Sequence, residues 1–198
     1  HQYKNIHMVG IKGVGMTALT EVLLRNGSRL TGSDVEEQFM TDSVLKNLGI
    51  EVKRFDTDNV IDKDAVIRSN AYQDNHAEVV AAKSLGIPVF SYPHVVAELF
   101  NSVYGIAVAG SHGKTTTTAM TALVLIEAGL DPTVIVGSLL KEFGNSNFHK
   151  GNPSTNSKQA SWLVLEADEW KASFLRYSPE ISVITNIDKE HLDFYKNF

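Results

Sequence analysis

The chain has 198 residues, 43% of them hydrophobic and 21% charged, with a net charge of −5. These values fit a globular protein of one large or two small domains, and the acidic balance argues against a nucleic-acid-binding surface, which needs clustered Lys and Arg. No apolar run approaches the roughly 18 residues of a membrane helix, no secretory signal is visible, and the absence of cysteine excludes disulfides, thiolate metal sites and cysteine nucleophiles, so a cytoplasmic location is expected.

In chain order, short β-rich runs alternate with helical patterns, which predicts βαβ units and parallel sheets. Residues 5–10 (NIHMVG) read as a buried strand, 16–25 as a helix and 28–32 as a second strand. A helix is predicted over 41–48, a strand over 65–69, a helix over 77–85 and a strand over 87–90. The pattern then restarts, placing a domain boundary near 101–105 and dividing the chain into 1–102 and 103–198. The second part has predicted strands at 106–109, 133–136, 162–166 (WLVLE) and 181–185, with a long helix over 115–128. Residues 142–158 are polar and rich in Asn, Ser and Gly, and read as an exposed loop. The fold class is α/β, opening with a Rossmann-like parallel-sheet domain.

Gly13-Val14-Gly15-Met16-Thr17-Ala18 follows the first strand, opens a helix and fits G-x-G-x-x-G/A. Asp34 lies about 20 residues on, where that fingerprint expects an acid for a ribose hydroxyl. Glycines let the backbone approach a diphosphate, and the helix N-terminus offers N–H groups and partial positive charge. A plain glycine turn and an NAD site are both open readings of this motif. Lys12 beside it would suit a charged diphosphate.

Gly110-Ser111-His112-Gly113-Lys114-Thr115-Thr116 again follows a strand and opens a helix. It departs from strict G-x-x-x-x-G-K-[ST] spacing, because Val108 stands where the first glycine belongs. The Gly-Lys-Thr core has the right chemistry: backbone N–H groups cradle phosphates, Lys spreads charge over the β/γ oxygens, and a hydroxyl holds Mg²⁺. Four consecutive threonines are poor helix formers, so helix propensity does not explain them. A glycine turn with a solvated Lys is the bland alternative.

This second loop with its threonine tail resembles the ATP loop of the Mur ligases, and other segments agree in the family's order. Residues 7–16 (HMVGIKGVGM) resemble the family's opening loop H-F-V-G-I-G-G-I-G-M, Gly32-Ser33-Asp34 its next turn, and Ser69-Asn70-Ala71 its S-S-A. Glu166-Ala167-Asp168-Glu169, followed by Ser173-Phe174-Leu175, resembles its E-A-D-E segment. Thr185-Asn186-Ile187 and Glu190-His191-Leu192-Asp193 match T-N-I and D-H-x-D. Three departures stand out: Lys12 replaces a usual glycine, Trp170-Lys171 replaces Tyr-Asp or Ser-Asp, and His149 stands near a common arginine. The resemblance implies that 103–198 are the first, incomplete part of a P-loop-type ATP-binding domain. A third domain, lying outside this chain, would then be required for activity.

The resemblance also implies an ATP- and Mg²⁺-dependent ligase that joins an amino acid, L-alanine, to UDP-N-acetylmuramate through an acyl phosphate. Its implied UDP-sugar contacts are His7, Gly13, Val14, Gly15, Met16, Asp34, Ser69 and Asn70. Its implied ATP contacts are Gly110, Ser111, His112, Gly113, Lys114, Thr115 and Thr116. Lys114, Glu166 and His191 are the implied catalytic residues, and Thr115, Glu166 and His191 the implied metal ligands. Asp168 and Glu169 are weaker candidates, and Trp162 and Trp170 read as packing residues. The alternatives are a family member that attaches a ready-made tripeptide, an NAD-dependent dehydrogenase, and a non-catalytic binding fragment.

Overall fold

A computed structural model describes residues 3–152, 161–189 and 194–195, leaving aside the side chains of Trp170 and Lys171. The chain divides into two compact units, His1–Val95 and Val96–Phe198. Both are α/β, as the alternation of apolar runs and helical patterns predicts.

The first unit runs β1 (Asn5–Val9), α1 (Val14–Arg25), β2 (Arg29–Ser33), α2 (Asp42–Asn47), β3 (Val52–Lys53), β4 (Ala65–Arg68), α3 (Ala77–Ser84) and β5 (Val89–Ser91). Its sheet is fully parallel, in the order β3-β2-β1-β4-β5. β1 is buried from Ile6 to Val9 because both its faces are covered. Helix α1 buries Met16, Leu19, Thr20 and Leu23, a 3.6-residue stripe against the sheet. Val9, Val60, Val66 and Ala82 pack as one cluster, with Phe55, Tyr72, Ile87 and Val89 around it. Strand order reverses between β1 and β4, which leaves a crevice beyond their carboxyl ends.

Helix α4 (Tyr92–Phe100) precedes β6 (Tyr104–Ala109), followed by α5 (Lys114–Glu127), β7 (Thr133–Leu140), β8 (Ser146–His149), β9 (Trp162–Glu166) and β10 (Ile181–Ile184). The order is β10-β6-β9-β7-β8, parallel except for the antiparallel β7–β8 pair. The core gathers Ile106, Ala122, Val134, Val136 and Val164, with Trp162 packed against it and its ring 4.3 Å from that of Tyr104. A packing role for Trp162 thus agrees with its surroundings.

The structure corrects the exposed-loop reading of 142–158. Residues 146–149 are strand β8, inside which Asn147 and Phe148 are buried. Residues 153–158 of that expectation lie outside the described residues. His149 Nε2 sits 2.8 Å from Asp131 Oδ1, and its ring stacks on Phe143 with centroids 5.1 Å apart. That side chain fastens β8 to the turn before β7.

Candidate functional site

The first loop leaves β1 at Gly10, whose φ is +80°. A Cβ there would lie 2.6 Å from the Tyr72 ring, so both backbone sign and space require glycine. The Gly10 and Ile11 N–H groups both donate to the Ser33 carbonyl, at 2.9 and 3.2 Å. Lys12 N donates to Asp34 Oδ2 at 2.7 Å, and the Tyr72 hydroxyl donates to Asp34 Oδ1 at 3.1 Å. Burial, followed by the Asp34 charge, pushes the Tyr72 phenol up to about 12. Helix α1 then begins at Val14, with Gly13 as its N-cap, and the first turn of a helix offers N–H groups without intrahelical partners. Across the strand-order reversal, Ser69 follows β4, and its N–H donates to the Val9 carbonyl at 2.9 Å. Gly13, Val14, Gly15, Ser69 and Asn70 thus follow the carboxyl ends of β1 and β4, the side on which open α/β sheets take ligands, whereas the Met16 side chain is turned into the core and only its backbone is left for such a role.

Three residues of this region have other surroundings than sequence suggests. His7 is fully buried, with Nδ1 2.9 Å from Thr31 Oγ1 and Nε2 3.1 Å from Ser33 Oγ. It lies in β1, ahead of the loop. Asp34 is only 6% exposed, and its oxygens also accept from Val35 N, so it ties the loop to β2. The ammonium of Lys12 donates to the Glu37 carbonyl at 2.7 Å, 3.5 Å from Asp42 and 5.6 Å from the centre of the Phe39 ring. Lys12 is therefore engaged in clamping the 35–41 segment, a role that its reading as a group suited to a diphosphate did not include.

The second loop leaves β6 at Ala109 and runs through Gly110, Ser111 and His112 to Gly113, the N-cap of α5, with φ of +80°. Its shape is held from β10's end. Asn186 accepts from His112 N at 2.9 Å and donates to the His112 carbonyl at 2.8 Å, and the Thr185 hydroxyl donates to the same carbonyl at 2.6 Å. The T-N-I motif was visible in sequence, but this role emerges only because β10 lies beside β6. Lys114 Nζ curls back to the Gly110 and Ser111 carbonyls, at 2.6 and 3.1 Å, and forms an ion pair with Glu169 at 3.0 Å. With side-chain exposures of 15% and 17%, this pair is sheltered.

β9 pairs with β6 so that Glu166 lies opposite Val108, which delivers its carboxylate to the start of α5. Thr115 Oγ1 donates to Glu166 Oε1 at 2.9 Å, and Gly137 N donates to Glu166 Oε2 at 2.5 Å. A hydroxyl beside a carboxylate is the hard-oxygen donor set that Mg²⁺ takes, so these two residues fit that ion. Among the described residues no group of three or more His, Asp or Glu assembles for a metal. His191 lies outside the described residues, and Thr116 is exposed. Glu169 and Gly137 are partners that sequence spacing does not reveal, since they lie 55 and 29 residues from the atoms they meet.

A parallel and a mixed sheet, each leading into a glycine loop at a helix N-terminus, the second with Lys, Thr and Glu around it, have the arrangement found in phosphate-binding α/β proteins. Residues 5–104 match the Mur ligase family, catalytic domain, and residues 108–198 match the Mur ligase middle domain. The chain belongs to the Mur ligase family. It is 45% identical over 194 residues to UDP-N-acetylmuramate–L-alanine ligase of Desulfitobacterium hafniense, covering 98% of this chain and 41% of that one. It is 47% identical over 195 residues to the enzyme of the same name from Geobacter sulfurreducens, covering 97% and 40%. The crystal structure of UDP-N-acetylmuramate–alanine ligase from Thermotoga maritima superposes with a TM-score of 0.87 at 34% identity, covering all of this chain and 44% of that one. The ligase for UDP-N-acetylmuramate and L-alanyl-γ-D-glutamyl-meso-diaminopimelate from Neisseria meningitides gives 0.86 at 30%, covering 98% and 64%. The chain spans about two-fifths of the length of the curated relatives it matches.

Proposed function

We propose that these residues are the substrate- and ATP-binding part of a cytoplasmic ligase that joins L-alanine to UDP-N-acetylmuramate in peptidoglycan precursor synthesis. The observation that carries the reading is the Lys114, Thr115 and Glu166 cluster around a glycine loop, in a chain with this ancestry. The curated relatives matched at 45–47% are named for L-alanine, which supports that amino acid over the tripeptide.

In the proposed reaction the muramate carboxylate attacks the γ-phosphorus of ATP, and ADP leaves. The alanine amine then attacks the acyl carbon, and phosphate leaves as the amide forms. Two anions must meet in the first step, so a cation fixed beside the transferred phosphoryl lowers the barrier. Lys114 supplies it once its ammonium turns from Glu169 to the β/γ oxygens. Backbone N–H groups of Gly113 and the start of α5, with Gly110, Ser111, His112 and Thr116 alongside, cradle the phosphates. Thr115 and Glu166 would hold Mg²⁺, with His191 for a second ion, and the metal would supply further charge neutralisation. In residues 1–102, Gly13, Val14, Gly15 and Met16 face the diphosphate, Ser69 and Asn70 flank it, and Asp34 and His7 organise the loop.

Alone, residues 1–198 are proposed to bind substrates without ligating them, because acyl phosphate and amine must be held together away from water. Titration calorimetry of this chain with UDP-N-acetylmuramate, ATP–Mg²⁺ and NAD tests the assignment. Heat is expected from the first two and none from NAD. Binding of NAD with no response to the UDP-sugar would overturn the reading in favour of a dehydrogenase. Mass spectrometry of the same chain with ATP, Mg²⁺ and both substrates should show no amide.

A further inference from the structure

Glu78 lies in the first turn of α3 and is fully buried. Its Oε1 accepts from Asn59 Nδ2 at 2.8 Å and from Asp56 N at 3.1 Å, and lies 3.5 Å from His7 Nε2. Its Oε2 accepts from the Ser33 hydroxyl at 2.5 Å. Because that hydroxyl donates its proton to Glu78, it can only accept from His7 Nε2, at 3.1 Å. The proton of His7 therefore sits on Nε2, and in the neutral ring Nδ1 accepts from the Thr31 hydroxyl at 2.9 Å. Burial pushes the Glu78 carboxyl up, but the donors from His7, Ser33, Asn59 and Asp56 more than offset it and bring it to about 2.

A buried charge with this many partners is weak evidence for stability, because desolvation cancels much of the gain. What such a network does secure is a single arrangement of its members. Here the member that matters is Ser33. Its carbonyl accepts both Gly10 N and Ile11 N, and the next residue, Asp34, takes Lys12 N. Three successive N–H groups of the first glycine loop are thus fastened to the end of β2, and the Ser33 side chain is fastened to Glu78.

We propose that Glu78 is a positioning residue that, through Ser33 and with His7 as the second brace, holds the first glycine loop in the form that accepts a diphosphate. This rests on the reading of that loop as the diphosphate site. Glu78 itself touches no ligand and takes no part in the chemistry.

The test uses Glu78→Gln and Ser33→Ala in the 198-residue chain, with amide hydrogen exchange and calorimetry with uridine diphosphate. Glu78→Gln keeps the shape but turns one acceptor oxygen into a donor, and Ser33→Ala deletes the linking hydroxyl and leaves the carbonyl. In both, Gly10 and Ile11 amides should exchange at least tenfold faster, while Met8 and the amides of α5 keep their rates. Uridine diphosphate should bind about tenfold more weakly, with ATP binding at the second loop unchanged. Wild-type exchange at Gly10 and Ile11 in both variants would overturn the proposal, as would uniform acceleration across the first unit, which marks only lost stability. If Glu78→Gln fails to fold, Ser33→Ala carries the same readouts. If the loop amides respond while the wild type binds no uridine diphosphate, the ligand assignment fails and the hold of Glu78 on the loop stands.

Discussion

The two glycine loops are alike in sequence style and unlike in how they are hung. The first is fastened from beneath by Ser33, Asp34 and Tyr72, with Ser33 fully buried and Asp34 nearly so. The second is fastened from the side by Asn186, which is exposed, and by a Lys whose ammonium is shared between two loop carbonyls and Glu169. Hydrogen bonds sheltered from water resist opening, and exposed ones open at little cost. The first loop is fixed from beneath. In the second, on the proposed function, Lys114 would exchange a carboxylate for phosphate oxygens without moving its backbone.

The contrast breaks first if Lys114 proves dispensable. In a full-length ligase carrying these residues, Lys114→Ala should lower kcat by two orders of magnitude or more, as expected on removing a main transition-state charge partner. Its melting temperature should fall only modestly, by the loss of one sheltered ion pair with Glu169 and two bonds to loop carbonyls.

Gly10→Ala and Gly113→Ala form a matched pair, both at φ +80°. At Gly10 the new methyl meets the Tyr72 ring at 2.6 Å, whereas nothing lies within 4 Å at Gly113. Left-handed strain plus overpacking should cost about 3 kcal/mol at Gly10, and strain alone about 1 kcal/mol at Gly113. Urea unfolding checks this, and equal losses would show that the first loop is no more rigidly seated than the second.

Acid should separate the units in the same sense. The Glu78 carboxyl is held at about 2, below its ordinary value of 4.5. A depressed acid contributes its full stabilisation above its unfolded value and loses it as pH falls through the folded one. The first unit should therefore lose on the order of 3 kcal/mol between about pH 5 and pH 2. Glu78→Gln should flatten that slope in urea titrations, and an unchanged slope would remove Glu78 from the account. The smallest effect belongs to Asn186→Ala, where ATP affinity should fall about fivefold, roughly the 1 kcal/mol of an exposed side-chain bond pair. An unaltered affinity there would show that the second loop keeps its shape without β10.

What sequence could show and what it could not follow from physical scale. β1 and β9 are covered on both faces, so NIHMV and WLVLE announce themselves as apolar runs. β8 reads SNFH, with Phe148 its one apolar residue, because it closes an edge beside β7, and so it passed for loop. β3 has two residues and offers no period to detect. Lys114, Thr115 and the glycines are contiguous and legible as a motif. Glu169 is legible as part of E-A-D-E but its pairing with Lys114 is not, and Gly137 and Glu78, which no local pattern marks, reach their partners only through strand order. Lys12 shows the reverse hazard, because a cation beside a glycine loop invites a ligand reading until its carbonyl partner is seen.

The strand order also sets a timetable for synthesis. The hydrogen bonds from Ser33, Asp34 and Tyr72 that fasten the first glycine loop, and the brace on Ser33, are all available once Glu78 emerges. The second loop waits for Glu166, Glu169, Thr185 and Asn186, and its bond between Thr185 and Ala109 spans 76 residues. At a translation rate of about 5–20 residues per second that interval is roughly 4–15 s. From the end of α5 to the start of β9, β6 lacks both of its neighbours, with β10 following later still, and parallel pairing across such a span is slow in any case. The nascent chain thus passes through a stage in which the first unit is finished while the β6 edge of the second stands bare, an opening for chaperones or for misassembly that the amino-terminal half does not share.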